Sequence, residues 1–182
     1  MNSLHGKIAV VTGGAKGIGE AIVRRFSADG ANVVIADVDE ACGVRLAGEL
    51  ERTSFFRCDV AKEADVLATM DFVERSFGRI DVLVNDAAWQ LNKPLLETSA
   101  DEFDAVMNVN VRGAFLFMRE AARLMSAKGI RGSIVNFSST FAFVGSPGYF
   151  AYHASKGAVS AMTRAAAIAL MPLGIRVNAV AP

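Results

Sequence analysis

Apolar runs of strand length recur along the chain at residues 8–12, 33–36, 55–58, 82–84, 133–137 and 175–180, and the segments between them carry helical signals. Strands alternating with helices predict βαβ units and a parallel sheet. Several runs are continuously apolar rather than alternating, as expected of strands whose sheet is covered by helices on both faces. The fold class predicted is therefore α/β, a doubly wound parallel sheet in a three-layer α/β/α sandwich. Ile18, Ile22, Val23 and Phe26 share one face of a helix that begins near Ile18 and is ended by Gly30. Residues 151–170 read as a long, mostly apolar helix broken at Pro172, with small residues at Ala151, Ala154, Ser155, Gly157, Ala158 and Ala161. Such a face permits close packing, either on the sheet or on a second copy of the chain.

The 182 residues are 52% hydrophobic and 21% charged, with a formal net charge of zero. This is the composition of one compact domain, and it excludes disordered, collagenous and coiled-coil chains. At this length roughly 70% of the unfolded surface is removed from water, so the core needs neither disulfides nor a metal. Cys42 and Cys58 form no C-x-x-C pair, and His5 and His153 are the only histidines, so no metal site is expected. Without a run of Lys or Arg, neither nucleic acid nor a membrane surface is an expected partner. A small molecule is. Residues 1–7 hold no apolar leader core, and no uncharged window reaches the roughly 18 residues of a membrane span, which points to a reduced, cytoplasmic protein. No repeat, low-complexity tract or linker divides the chain.

The first strand runs directly into Thr12-Gly13-Gly14-Ala15-Lys16-Gly17-Ile18-Gly19. Glycines in a strand-to-helix turn let the backbone approach a pyrophosphate, whose charge then sits among the unpaired N–H groups of the helix N-terminus. The spacing is G-x-x-x-G-x-G, and no Gly-Lys-Ser/Thr follows, which excludes a P-loop. A plain tight connection would also use such a turn; its place between an apolar strand and an amphipathic helix favours a dinucleotide. Asp37 lies 18 residues beyond Gly19, at the end of the second strand, where a carboxylate can accept from both adenosine ribose hydroxyls. This favours NAD over NADP, whose 2′-phosphate would meet like charge, offset in part by Lys16. The alternative role for Asp37 is a helix N-cap, for which Asp39 is better placed.

Tyr152 and Lys156 are four residues apart and share a helix face. A tyrosine with a pKa of about 10 is too weakly acidic to serve as a base at neutral pH, and a shift of two units takes about 2.7 kcal/mol. A positive charge about 4 Å away supplies on the order of 1 to 4 kcal/mol, so Lys156 together with a cationic nicotinamide is expected to activate the phenol. The strand at 132–137 ends in Ser138-Ser139 at the carboxyl edge of the sheet, where open α/β folds place their ligands.

Taken together these residues resemble the short-chain dehydrogenases/reductases over 7–182. Thr12, Gly13, Gly17 and Gly19 match that family's cofactor loop, and Asp59-Val60 looks like its adenine-contacting pair. Asn85-Asp86-Ala87-Ala88 resembles the Asn-Asn-Ala-Gly after its fourth strand, Asn110-Val111-Arg112-Gly113 its helix motif, and Ser139, Tyr152 and Lys156 its catalytic residues. The resemblance implies one NAD(P)-binding domain of Rossmann type over 1–182, assembled as a homodimer or homotetramer. It implies that Tyr152 exchanges the alcohol proton, Lys156 lowers its pKa and holds the nicotinamide ribose, Ser139 orients the substrate oxygen, and Asn110 anchors a water that links Lys156 to solvent. Ser139 is preferred to Ser138 because it stands thirteen residues before the tyrosine.

Two departures stand out. Asp86 and Ala88 replace the family's Asn and Gly, placing a carboxylate and a methyl near the cofactor. The sequence ends at Ala181-Pro182, where the family continues with a Gly, a substrate-covering segment and another strand, so the chain looks truncated and 175–180 is expected to form an open sheet edge. Trp89, Leu91, Phe141, Phe143, Val144, Tyr149 and Phe150 are expected near the pocket mouth, which suits a neutral, fairly apolar secondary alcohol or ketone. His153 is expected to pack or face solvent. The activity expected is NAD-dependent oxidoreduction; the alternatives are a catalytically silent dinucleotide-binding or interaction module, and an isomerase or dehydratase that recycles NAD.

Overall fold

The computed structural model describes residues 4–182; the reading of the N-terminal stretch rests in part on residues 1–3, which lie outside them. Six strands, β1 (Ile8–Thr12), β2 (Asn32–Asp37), β3 (Thr53–Arg57), β4 (Val82–Asn85), β5 (Ser133–Phe137) and β6 (Arg176–Val180), form one parallel sheet. Their order is β3-β2-β1-β4-β5-β6. Helices α1 (Gly17–Ala28), α2 (Glu40–Glu49), α3 (Glu63–Phe77), α4 (Ala100–Met107), α5 (Ala114–Ala127) and α6 (Phe150–Leu170) connect and cover it.

The continuous apolar character of β1 has a direct cause: all five of its residues are buried, and they divide between two cores. Ile8 and Val10 pack with Val66, Met70 and Val73 of α3 and with Leu116, Phe117, Ala121 and Met125 of α5. Val11 packs on the other side with Val23 of α1, Leu46 of α2, and Val33 and Ile35 of β2. At the edge the pattern is weaker. β3 takes in the polar Thr53 and Ser54, which pair with Val33 and Val34 although they lie outside the apolar run. β6 has β5 as its one strand partner among the described residues, and four of its five residues are exposed.

Ile18 departs from the helical face assigned to it. It sits in the first turn of α1, is 50% exposed, and faces the crevice described below rather than the core. The small-residue face of α6 is divided as well: Ala151 and Ser155 are buried in the chain's own fold, while Ala161 is exposed. The chain passes from α4 to α5 through one π-helical stretch, Asn108–Gly113, which buries Asn110. No helix among the described residues is long and apolar enough to cross a membrane.

Asp81 pins the entry to β4. Only 5% exposed, it accepts from the Ile8 N–H at 3.0 Å and from Arg79 at 2.6 and 3.0 Å, with Lys7 at 3.4 Å. Burial on its own would raise this carboxyl, but the Arg79 hydrogen bond and the Ile8 N–H hold it below the usual range. Both cationic partners are half solvated, so Asp81→Asn is expected to cost about 2 kcal/mol, or roughly 4–8 °C in thermal melting. Because the folded pKa is depressed, the contribution is complete above the unfolded value of about 3.9 and is lost as pH falls through the folded one. The melting difference between wild type and variant is therefore expected to close in acid.

Candidate active site

The strand order reverses between β1 and β4, and a sheet of this kind opens a crevice at the carboxyl ends of the two strands where the order turns. The glycine turn after β1 and the loop after β4 meet there. Thr12 Oγ1 accepts from the Ala87 N–H at 3.2 Å. Gly13 has φ +66°, and a Cβ on it would lie 2.8 Å from both N and Cα of Ala87. A Cβ on Gly19 would lie 2.8 Å from the Gly13 carbonyl carbon and 2.9 Å from Gly14 Cα. These two glycines are therefore required by contact between backbones.

A cavity of about 440 Å³ opens beside the turn, walled by Gly13, Asp37, Asp59, Val60, Asp86, Ala87, Ala88 and Trp89. The Asp37 carboxylate is locked in place, one oxygen accepting from Ala15 N–H and the other from Asp39 N–H, each at 3.0 Å. Asp39, not Asp37, caps α2, through the Cys42 N–H. Lys16 pairs with Asp39, and that hydrogen bond holds the Asp39 carboxyl below its ordinary range. Asp59 turns its own loop by accepting from Ala61 N–H at 3.1 Å. Cys58, also on the wall, is pushed up to about 11 by burial and stays a neutral thiol.

A second cavity, of about 260 Å³, lies against Ile18, Asp86, Ala88, Ser138, Ser139, Tyr152 and Lys156. Asp86 and Ala88 belong to both walls. The i, i+4 spacing on α6 does place Tyr152 and Lys156 together, with Lys156 Nζ 5.4 Å from the Tyr152 ring centroid. Lys156 is 3% exposed, donates to the Phe137 carbonyl at 2.7 Å, and is lowered to about 8 by burial, against which the Asp86 charge acts.

The surroundings that the chain itself gives Tyr152 act in both directions. Burial raises its phenol above the ordinary value, a Ser139 hydrogen bond lowers it, and Asp86 raises it further. The protein's own groups thus leave the phenol less acidic than a free tyrosine. The Lys156 ammonium donates one hydrogen bond to a backbone carbonyl and keeps its charge beside the Tyr152 ring.

The two serines separate cleanly. Ser138 is buried, bonded to Ser160 Oγ at 2.6 Å and to the Lys156 carbonyl at 3.2 Å, and so fastens β5 to α6. The Ser139 hydroxyl accepts from Phe141 N–H at 3.2 Å and contacts Tyr152.

Other expected residues do not line the two cavities, though the Gly19 N–H bonds the Asp86 carboxyl on their shared wall. Lys16, Gly17, Gly19, Asn85 and Asn110 wall neither of them. The Asn110 amide is consumed by Trp89, accepting from its N–H at 2.7 Å and donating to its carbonyl at 3.0 Å, and it also donates to Ser155 Oγ at 2.9 Å. These bonds tie the β4 loop to α6 and fix Asn110 in the π-helical stretch facing that helix. Asn85 donates to Asn136 Oδ1 at 2.9 Å, while its own Oδ1 is buried without a partner.

The aromatic residues expected at the mouth are also displaced. Of that set only Trp89 reaches a cavity wall, and Phe143 is 71% exposed. Phe141 instead stacks on His153 at 4.6 Å and meets the Tyr152 ring edge-on at 6.1 Å. His153 contacts the Phe141 carbonyl at 2.6 Å and the Ser146 N–H at 3.1 Å, which braces the loop between β5 and α6. Sequence placed the Asp86 carboxylate near the cofactor without giving it a role; its position just after β4, on the reversing side of the sheet, puts it on both cavity walls.

Comparison with known proteins agrees with this architecture. The family model described as Enoyl-(Acyl carrier protein) reductase matches residues 13–182. The sex determination protein tasselseed-2 of Zea mays is 47% identical over 98% of this chain, and short-chain dehydrogenase reductase 4 of Arabidopsis thaliana 46% over 98%. The chain spans 55% and 61% of the lengths of these two relatives. A 2,5-dichloro-2,5-cyclohexadiene-1,4-diol dehydrogenase from Sphingobium indicum is 42% identical over the whole chain and 74% of its own length. A crystal structure of a short chain dehydrogenase from Mycobacterium smegmatis superposes with a TM-score of 0.96 at 33% identity, covering 100% of this chain and 78% of that one. By sequence and by fold alike, the chain belongs to the short-chain dehydrogenase/reductase family.

Proposed function

We propose that the chain, read as one Rossmann-type NAD(P)-binding domain over 1–182, carries the site of an NAD-dependent oxidoreductase that interconverts a neutral, fairly apolar secondary alcohol and its ketone. The observation that carries this reading is the convergence of Ser139, Tyr152 and Lys156 on a cavity that shares Asp86 and Ala88 with the one walled by Gly13 and Asp37. The residues present suit a dinucleotide. α1 has no side-chain N-cap bond and its Gly19 N–H is turned to Asp86, so the N–H groups of Gly17 and Ile18 are the ones available to a pyrophosphate. An ionised carboxylate has about four acceptor positions; Asp37 uses one on each oxygen internally and keeps the others for a ribose diol.

When bound, the nicotinamide supplies the hydride acceptor or donor. The chain's own groups handle the oxygen and its proton. Ser139 holds the substrate oxygen next to Tyr152, and the Tyr152 hydroxyl takes or returns the alcohol proton. Lys156, fixed by the Phe137 carbonyl, presents a cation inside the same cavity. Ile18 and Ala88 supply apolar wall. The Sphingobium relative, by its name a dehydrogenase of a cyclic diol, supports an alcohol substrate. The reading includes a cytoplasmic homodimer or homotetramer, with the exposed part of α6 available for contact.

The test is calorimetric titration with NAD together with NADH formation across cyclic and acyclic secondary alcohols. NAD binding with turnover supports the reading. Binding without turnover indicates a silent module, and turnover of substrate without net NADH indicates an isomerase or dehydratase. Cofactor preference has its own check. Lys16 is tied to Asp39, and no cation among the described residues hydrogen-bonds Asp37, whose carboxylate would meet a 2′-phosphate as like charge. Asp37→Ala is therefore expected to narrow the NAD over NADP affinity ratio by about tenfold, the equivalent of about 1.4 kcal/mol. An unchanged ratio removes Asp37 from the ribose site.

A further inference from the structure

We propose that Asp86 makes the site selective for the positively charged, oxidised nicotinamide over its neutral reduced form, and so tunes the protein toward alcohol oxidation. The inference deepens the reading above and rests on it. Asp86 sits on the loop just after β4 and walls both cavities, in company with Ser139, Tyr152 and Lys156 on one side and Asp37 and Asp59 on the other. No side chain among the described residues hydrogen-bonds its carboxyl; the Gly19 N–H and the Lys156 charge favour its ionised form.

The charge balance of the smaller cavity carries the argument. Lys156 is buried there, and alone it would make the cavity positive, which disfavours a cationic ring and favours a neutral one. Asp86 cancels that charge from the same wall. Its effect is strong because both groups are withdrawn from solvent, where charges interact through a lower effective dielectric. Oxidised and reduced dinucleotides differ by one unit of charge at the nicotinamide, so a single carboxylate at this place separates them.

The charge of Asp86 is itself adjustable. Burial pushes the carboxyl up to about 6, opposed by Lys156 and Gly19 and reinforced by Asp37. The other titratable groups on the two walls are Tyr152, Asp59 and the neutral Cys58. Because the folded pKa is raised, Asp86 is ionised above about pH 6 and neutral below it, so the selectivity is present at neutral pH and fades in acid.

The experiment is calorimetric titration of NAD+ and of NADH into wild type, Asp86→Asn and Asp86→Glu at about pH 5 and about pH 7.5, with thermal melting as a check on folding. At the higher pH, Asp86→Asn is expected to lower the NAD+ over NADH affinity ratio by about tenfold, and Asp86→Glu to retain most of it. At the lower pH the wild-type ratio is expected to approach that of Asp86→Asn. A folded Asp86→Asn protein with an unchanged ratio at the higher pH overturns the proposal while leaving the dinucleotide reading intact. Failure of wild type to bind either dinucleotide overturns both.

Discussion

Tyr152→Phe is expected to lower NAD-linked alcohol oxidation by about 10³-fold, within the range of roughly 10² to 10⁴ attributed to a positioned proton-transfer group, while NAD affinity changes little. The substitution removes one hydroxyl and nothing else. The ring keeps its edge-on contact with Phe141 and its place under Lys156, so melting temperature is expected to stay near wild type. Burial and the Asp86 charge hold the phenol above its ordinary pKa. Oxidation needs the phenol as a base, and its deprotonated fraction rises with pH. The wild-type oxidation rate is therefore expected to climb through the alkaline range, and Tyr152→Phe to lose that limb. Steady-state rates at several pH values, with calorimetry for NAD, test both parts. A Tyr152→Phe enzyme that turns over at the wild-type rate would remove the phenol from the chemistry.

Gly13→Ala carries the second large effect, on cofactor affinity and on folding together. Its backbone lies at φ +66°, where an L side chain is strained, and the added methyl would press on Ala87 N and Cα at 2.8 Å. Backbone cannot rotate away as a side chain can, so the loop after β4 must shift, and with it Asp86, Ala87 and Ala88 on the cavity walls. NAD affinity is expected to fall about 100-fold, the equivalent of about 2.7 kcal/mol. Gly17→Ala is the matched control. Gly17 has a similar φ of +57°, but a Cβ there meets nothing within 4 Å. Within the chain itself only the left-handed strain of about 1–2 kcal/mol then remains. Thermal melting is expected to show both variants destabilised, Gly13→Ala more so. Equal loss of NAD affinity in the two variants would mean that strain, not the contact with Ala87, sets the effect.

Much of the fold was legible because its causes are local. Continuous apolar runs at residues 8–12 and 33–36 announce strands covered on two faces, and both lie in the middle of the sheet between two cores. The strand-turn-helix context of Gly13 placed the crevice, and the i, i+4 spacing of Tyr152 and Lys156 placed them side by side on α6. Asp39 was recognisable as a cap from its position before α2. Each of these rests on periodicity or turn chemistry within a dozen residues, which the chain carries wherever it folds.

Tertiary structure decided the rest, since it turns on which distant segments share a wall and how much water reaches them. Ile18 had the spacing of a core residue, yet it faces the crevice. Phe141 was expected at the pocket mouth but stacks on His153, and the tie that the Asn110 amide makes between Trp89 and α6 joins segments distant in the chain. The Tyr152 phenol rises rather than falls because desolvation and the Asp86 charge, both products of long-range packing, outweigh its Ser139 hydrogen bond, while Lys156, its helical neighbour, is bound to the Phe137 carbonyl. Sequence by itself settled which elements form and which chemistry-bearing residues face one end of the sheet. Only the folded chain decided which way the Tyr152, Lys156 and Asp86 pKa values move, because that depends on burial, and burial is a property of the whole molecule.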